Sequence, residues 1–127
     1  MTRSLTIGAA QVGPIQLADT RTVVVERLIA LLHEGAEAGC DLVVFPELTL
    51  TTFFPRWWVD DLAEADRFYE TEMPGPDTQP LFVRAKELGI GFALAVLKSF
   101  FVVIKLNFFG LDFFNTVEGT KHTSFIG

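Results

Sequence analysis

Two short strands on either side of one long helix occupy the first 45 residues, and this order limits the possible folds more than any other feature. The pattern of residues 4–12 indicates a strand that ends at Gly13-Pro14. Residues 42–45 are apolar throughout, which is typical of a strand buried on both faces of a parallel sheet. A helix that links two parallel strands makes a right-handed crossover. The pattern therefore predicts an α/β fold.

The connecting helix has clear start and stop signals. Asp19 or Thr20 can cap its first turn, and Gly39 can end it in the left-handed conformation. Apolar residues repeat along one helical face, at Val24, Leu28, Leu31 and Leu32. Farther along, the sequence predicts a short acidic helix at about residues 60–70, a third helix from Asp77 or Thr78 to Gly89, and a third strand over residues 90–97.

Glu47 is the candidate catalytic residue. Pro46 ends the second strand and Glu47 follows at once, which places a carboxylate at the carboxyl end of a buried strand. Open α/β sheets build their sites at that edge. A carboxylate that is desolvated there can transfer protons near neutral pH. A loop carboxylate in contact with water is the alternative that the position alone leaves open.

Composition argues against several classes of function. The chain has 10 basic and 16 acidic residues and no dense basic stripe, so we expect no nucleic-acid partner. Lys98 interrupts the apolar stretch 88–103, which argues against a membrane-spanning helix. The single cysteine, Cys40, permits no internal disulfide, and the first five residues show no signal peptide. These features predict a cytoplasmic protein that does not associate with membranes.

The composition changes after about residue 95. No alanine occurs beyond Ala95, and seven of the thirteen phenylalanines lie between Leu97 and Gly127. The change falls inside a predicted strand, whereas domain boundaries usually lie in polar linkers. We therefore predict two parts, a domain portion over residues 1–95 and a divergent phenylalanine-rich tail over residues 96–127. We interpret the tail, for which no structure is predicted, as the product of a frameshift or of read-through into non-coding DNA.

Two long runs and one shorter run carry a resemblance to a known family. They are residues 45–57 (FPELTLTTFFPRW), 68–76 (FYETEMPGP) and 87–92 (ELGIGF). In this order and spacing, residues 1–95 resemble the nitrilase superfamily of carbon–nitrogen hydrolases. Within that superfamily they are most similar to the N-carbamoyl-D-amino-acid amidohydrolases.

The resemblance implies an α-β-β-α sandwich and a Glu-Lys-Cys site. In such a site a cysteine thiolate attacks the carbonyl or ureido carbon, a glutamate moves the protons and a lysine stabilises the oxyanion. Only the glutamate has a counterpart here, at Glu47. The family's lysine, its cysteine, its second acidic residue and its carboxylate-binding basic groups lie beyond the matching residues. Lys121-His122 resembles the lysine segment faintly, but its flanking residues do not match.

The same resemblance implies no metal and no organic cofactor. It also implies homo-oligomers, whose contacts we expect to depend on segments that this chain lacks. Cys40 is not expected to act as the nucleophile, because up to roughly 20 Å of extended chain separates it from Glu47. We predict a packed, structural cysteine instead. His33 is expected at the surface, and its distance from His122 gives no metal-ligand spacing.

The loop after Glu47 is aromatic, and its purpose has two explanations that the sequence leaves open. Its large rings can line a pocket for an apolar side chain, or they can pack in the core or between subunits; they belong to Phe53, Phe54, Trp57 and Trp58. Arg56 can pair with a substrate carboxylate, but pairing with Asp60 or Asp61 is the simpler expectation.

The sequence thus predicts the N-terminal, truncated part of a nitrilase-like sandwich, from a hydrolase that acts on a small N-carbamoyl amino acid or amide. One alternative is an aliphatic amidase or nitrilase relative, and another is an inactive fragment or an interaction module. With its lysine and cysteine missing, the chain is not expected to be active alone. An uncovered sheet face of a few hundred Å² forfeits on the order of 10 kcal/mol, so we also expect poor solubility.

Overall fold

The strands form one five-stranded sheet in the order β1-β2-β3-β4-β5. A computed structural model of the chain describes residues 4–54, 58, 60–98, 101–108 and 111–117. Its first three strands are parallel: β1 (Ile7–Ala9), β2 (Leu42–Val44) and β3 (Gly91–Lys98). The last two continue the sheet antiparallel to β3, as β4 (Phe101–Phe108) and β5 (Leu111–Val117). The predicted α/β class is confirmed.

Within the described residues, three α-helices lie between the parallel strands: α1 (Arg21–Glu37) follows β1, and α2 (Leu62–Ala65) and α3 (Gln79–Leu88) follow β2. The Thr20 hydroxyl accepts a hydrogen bond from the Val23 N–H at 3.3 Å, so Thr20 is the cap of α1. Gly39 and Gly89 have φ angles of 78° and 65°, which confirms both predicted helix ends.

Two predicted elements are shorter than expected. The acidic helix predicted over residues 60–70 is confined to the four residues of α2 and a 3-10 turn at Asp66–Phe68. Phe68 is buried there, and its ring stacks on Phe54 instead of continuing a solvated helical face. The first strand has three residues rather than nine, because it pairs with β2 along three residues only.

The core lies between one face of the sheet and the helices α1 and α3. Gly8, Val43 and Phe92 are neighbours across β1, β2 and β3, so they share that face. Val43 and Phe92 are buried, and they pack in one cluster with the inner faces of both helices, namely Val25, Leu28, Leu32, Leu81, Phe82 and Ala85. The ring of Phe92 meets the edge of Phe82 with a centroid separation of 5.0 Å.

The opposite face of the sheet is partly open. Ile7 and Val44 alternate with Gly8 and Val43 along their strands, so they point away from α1. Ile7 is 55% exposed and Val44 is 38% exposed. The apolar sheet surface that the sequence predicted to be uncovered is therefore present at these two residues.

Strand β3 crosses the predicted boundary between residues 95 and 96 without a break. The backbone of residues 101–108 and 111–117 forms two strands, β4 and β5, within the segment predicted to be a divergent tail. The division into residues 1–95 and 96–127 stays a prediction. No helix in the described part of the chain has both the length and the apolar character needed to cross a membrane.

Candidate active site

Glu47 lies at the edge of the sheet where the parallel strands end. The loops that leave β1 and β2 meet there and enclose an open cavity of about 220 Å³. Residues 12–15 form one wall, and residues 46–49 and 51–53 form the other. The predicted position of Glu47 at the carboxyl end of a buried strand is therefore found in the fold.

A tight turn sets the direction of Glu47. The last ladder bond of β2 runs from the Phe45 N–H to the Ala93 carbonyl at 3.0 Å, and Pro46 then ends the strand. Leu48 has a φ of 52°, which costs a residue with a side chain about 1 kcal/mol. The Thr49 hydroxyl donates to the Pro46 carbonyl and closes the turn. The chain thus reverses immediately after the strand, with Glu47 at the bend.

The facing wall is fixed by Arg27 of helix α1. Its guanidinium donates to the Pro14 carbonyl at 3.1 Å and forms an ion pair with Asp19 at 3.0 Å. The same Asp19 carboxylate accepts the Gln16 N–H at 2.9 Å. The loop at Gly13 and Pro14 is therefore tied to the helix that packs on β2.

The described residues leave Glu47 in contact with water, so its desolvation stays a prediction. Its side chain is exposed, and it makes no hydrogen bond or ion pair with any of them. The reason is geometric, because the turn places the carboxylate at the mouth of the cavity rather than under the sheet. Any loss of water from Glu47 has to come from whatever fills or covers that mouth.

Cys40 lies at the other end of β2 from Glu47, as expected. Its sulfur packs against Gly8, where an added Cβ would lie 3.0 Å from Sγ. Cys40 lines a separate cavity of about 480 Å³ between β1 and α1, which Glu47 does not reach. His33 is half-buried on α1 rather than fully at the surface. Lys121 and His122 lie outside the described residues.

The aromatic residues after Glu47 divide between the two explanations that the sequence left open. Phe53 lines the cavity and is 60% exposed, whereas Phe54 stacks on Phe68 with ring centroids 4.7 Å apart. Trp58 is 90% exposed and donates its indole N–H to Asp60. Trp57 and Arg56 lie outside the described residues, as does the expected pairing of Arg56.

A third, smaller cavity of about 170 Å³ adjoins the one beside Glu47, and sequence reasoning missed it. Thr51 and Thr52 line both of these cavities. The third cavity is also lined by Asp19 and Arg21 and, from a segment far along the chain, by Arg67. No local sequence signal predicts that these residues lie close together, because their proximity depends on how α1 packs against residues 66–70.

Arg21 also forms an ion pair that sequence reasoning missed. Its Nε lies 2.5 Å from Oε1 of Glu70. Burial raises the pKa of Glu70 above its ordinary value of 4.5, and the charge of Arg21 only partly opposes this. The side chain of Glu70 is 12% exposed.

Within the ranges that the structure describes, no three histidine, cysteine or acidic side chains come together as metal ligands would. The described residues that line the cavity beside Glu47 present a carboxylate, threonine hydroxyls and an apolar rim.

Comparison with known proteins gives one family and several relatives. Residues 6–99 match the family model for carbon-nitrogen hydrolase. The chain is 31% identical over 101 residues to Nitrilase 2 from an unknown prokaryotic organism, covering 74% of this chain and 31% of that protein. It is 28% identical over 102 residues to the aliphatic nitrilase of Rhodococcus rhodochrous, and this match covers 75% of this chain and 27% of that protein. The chain thus spans about a third of the length of these relatives.

Solved structures also share the fold. Among them is a glutamine-dependent NAD(+) synthetase from Cytophaga hutchinsonii, which matches with a TM-score of 0.56 and 18% sequence identity. The match covers 89% of this chain and 19% of that one. At this level of identity the similarity supports the fold alone, as the partial counterpart of a larger α/β domain.

Proposed function

Because the chain belongs to the carbon-nitrogen hydrolase family, we propose that its protein hydrolyses a non-peptide carbon–nitrogen bond and that Glu47 transfers the protons. The observation that supports this role is the place of Glu47, at the carboxyl end of β2 and at the mouth of an open cavity. A carboxylate in that place can reach a small molecule that enters between the two loops.

The proposed reaction has two halves. A cysteine thiolate attacks the substrate carbon, the carbon–nitrogen bond breaks, and Glu47 delivers a proton to the departing nitrogen. Water then attacks the covalent intermediate while Glu47 accepts a proton from it. The thiolate and the oxyanion-stabilising cation have to come from residues other than those that line the cavity, since Cys40 lies at the far end of β2.

We propose an N-carbamoyl-D-amino acid as the substrate. The support is the similarity of residues 45–57 and 68–76 to the enzymes of that type, because the first of these runs forms most of one cavity wall. The products would be a D-amino acid, carbon dioxide and ammonia. A nitrile is the second candidate, and it is favoured by the names of two relatives, both of which are nitrilases.

A hybrid enzyme tests the proposal. Residues 1–95 of this chain replace the matching segment of an N-carbamoyl-D-amino-acid amidohydrolase, and ammonia release is measured with carbamoyl, amide and nitrile substrates. We expect turnover of the carbamoyl substrate, and a loss of about 10²- to 10⁴-fold in the hybrid with Glu47→Gln. Glu37→Gln, at an exposed position on α1, is the control and should leave the rate unchanged.

The same assay on the 127-residue chain separates catalysis from its alternatives. We expect no ammonia release from this chain by itself, since a thiol and a cation are needed beside Glu47. Turnover that disappears with both Glu47→Gln and Cys40→Ala would show an active site of a different kind. A hybrid that stays fully active with Glu47→Gln would refute the proton-transfer role of Glu47. A hybrid that releases no ammonia from any of the substrates would leave the interaction module or inactive fragment as the better account.

A further inference from the structure

We propose that strand β5 pairs with β5 of a second copy of this chain, so that two sheets join edge to edge around a two-fold axis. The contact consists of antiparallel backbone hydrogen bonds between the two strands. It lies on the last strand of the sheet and is independent of the reaction proposed for Glu47.

The outer edge of β5 is open among the described residues. β5 is the last strand of the sheet, and β4 is the described strand beside it. It is seven residues long, and its pairing with β4 advances one residue at a time without a bulge. Its sequence, LDFFNTV, contains no proline and no lysine. Short strands, bulges, prolines and lysines are the features that keep sheet edges apart, and β5 has none of these.

The hydrogen bonds of the parallel strands show which side of β3 faces β4. Gly91 and Ala93 of β3 form backbone hydrogen bonds with the chain of β2, at 2.9 and 3.0 Å. The backbone groups of successive residues in a strand point to opposite sides. Those of Phe92 and Leu94 therefore face β4.

The strand registers continue this alternation as far as β5. Leu94 pairs with Lys105, so the backbone groups of Leu106, the next residue, face β5. Leu106 pairs with Phe113, whose backbone groups therefore face β4. The groups that face the open edge are those of the alternate residues of β5, namely Asp112, Phe114 and Thr116. Each of these residues offers an N–H donor and a carbonyl acceptor to a strand placed beside it.

Charge selects one register for a second β5. Asp112 is the one ionisable residue in the sequence of β5. An antiparallel pair centred on Phe114 places Asp112 of each copy opposite Thr116 of the other. All three outward-facing residues are then paired, and they exchange about six backbone hydrogen bonds. A shifted register that sets the two aspartates opposite each other is disfavoured by like-charge repulsion, whereas the centred register separates them by roughly 13 Å.

The other edge of the sheet, at β1, offers a smaller contact. β1 has three residues. Thr6 and Ala10 form backbone hydrogen bonds with the chain of β2, at 3.3 and 2.9 Å, so the groups that face outward are those of Ile7 and Ala9. Two outward-facing residues form fewer hydrogen bonds than three, and pairing at β5 is therefore favoured.

A proline substitution tests the contact on the 127-residue chain. Phe114→Pro removes an outward-facing N–H of β5 and no hydrogen bond to β4, and an edge strand tolerates proline at such a position. We expect sedimentation velocity between about 5 and 500 µM to show a monomer–dimer equilibrium, and Phe114→Pro to raise the dissociation constant at least about ten-fold. Ala9→Pro makes the matched change at the edge of β1 and should leave the constant unchanged.

Charge substitutions test the register and leave the hydrogen bonds between β4 and β5 in place. Thr116→Asp sets a like charge opposite Asp112 of the second copy and should weaken the dimer about three- to ten-fold. Adding Asp112→Lys to Thr116→Asp sets opposite charges there and should restore the affinity of the parent chain. Equal dissociation constants for Thr116→Asp and the double variant would rule out this register and the proposed dimer with it.

Amide hydrogen exchange reports the fold and the contact together. The amides of Phe113 and Asn115 should be protected at every concentration, because they face β4, and their protection in Phe114→Pro shows that the strand is intact. Those of Asp112, Phe114 and Thr116 should be protected only where the dimer is populated. Protection of this second set at every concentration would show that the chain covers its own edge, which would overturn the proposal. A chain that stays monomeric up to about 500 µM would do the same, as would association or precipitation that Phe114→Pro leaves unchanged.

Discussion

A close approach between α1 and β2 gives the sharpest test of the fold that holds Glu47. A Cβ added to Gly35 of α1 would lie 2.4 Å from Cγ2 of Val43, whereas ordinary carbon contacts begin at about 3.5 Å. Val43 is 2% exposed, and the branching at its Cβ restricts rotation of the side chain, so it cannot turn away easily. Gly35→Ala therefore has to move the helix or the strand.

The magnitude follows from two opposing effects. Alanine in a helix interior is more favourable than glycine by about 0.5–1 kcal/mol. Overpacking a filled core costs about 1–3 kcal/mol. We expect the overpacking to be the larger effect, so that Gly35→Ala lowers the free energy of unfolding by about 1–2 kcal/mol. Urea denaturation followed by circular dichroism measures the change.

A double-mutant cycle isolates the contact. Val43→Ala alone should cost about 2 kcal/mol because it removes two buried methyl groups. It also removes the atom that the new methyl would strike, so Gly35→Ala in that background should be neutral or stabilising by up to about 1 kcal/mol. Strictly additive single and double variants would refute the reasoning, as would a Gly35→Ala chain that is more stable than the parent.

Three further changes test the helix cap, the core and the buried carboxylate by urea denaturation. Thr20→Ala should lower the free energy of unfolding by about 1 kcal/mol, because it removes the helix cap. Thr22→Ala, at an exposed position of the same helix, is the control and should change it little. Phe92→Ala should cost about 3–5 kcal/mol, and a loss below about 1 kcal/mol would contradict its place in the core. Burial raises the pKa of Glu70, so its protonated side chain contributes most to the free energy of unfolding below the ordinary pKa of 4.5. That contribution is lost as the pH rises through the raised pKa. The stability of the parent relative to Glu70→Gln should thus fall as the pH rises above 4.5, and a rise would contradict it.

The features that could be predicted from the sequence are those that neighbouring residues determine. Thr20 caps α1 and Gly39 follows its end because both signals act within one turn of helix. Glu47 was placed correctly because Pro46 has to end a strand. The ion pair of Arg21 with Glu70 was missed because it joins positions 49 residues apart and depends on how α1 packs.

The exposure of Glu47 is a property that the sequence alone does not predict. The position of Glu47 directly after a strand predicts that it lies at the edge of the sheet, but its desolvation depends on what covers that edge. Among the described residues, Glu47 and the ring of Phe53 are both open to water at the mouth of one cavity of about 220 Å³. A single occupant of that mouth would remove water from both, so covering the apolar ring would offset part of the cost of desolvating the carboxylate. The described residues thus set the position of Glu47. The loss of water that favours proton transfer then has to occur when a molecule fills the cavity.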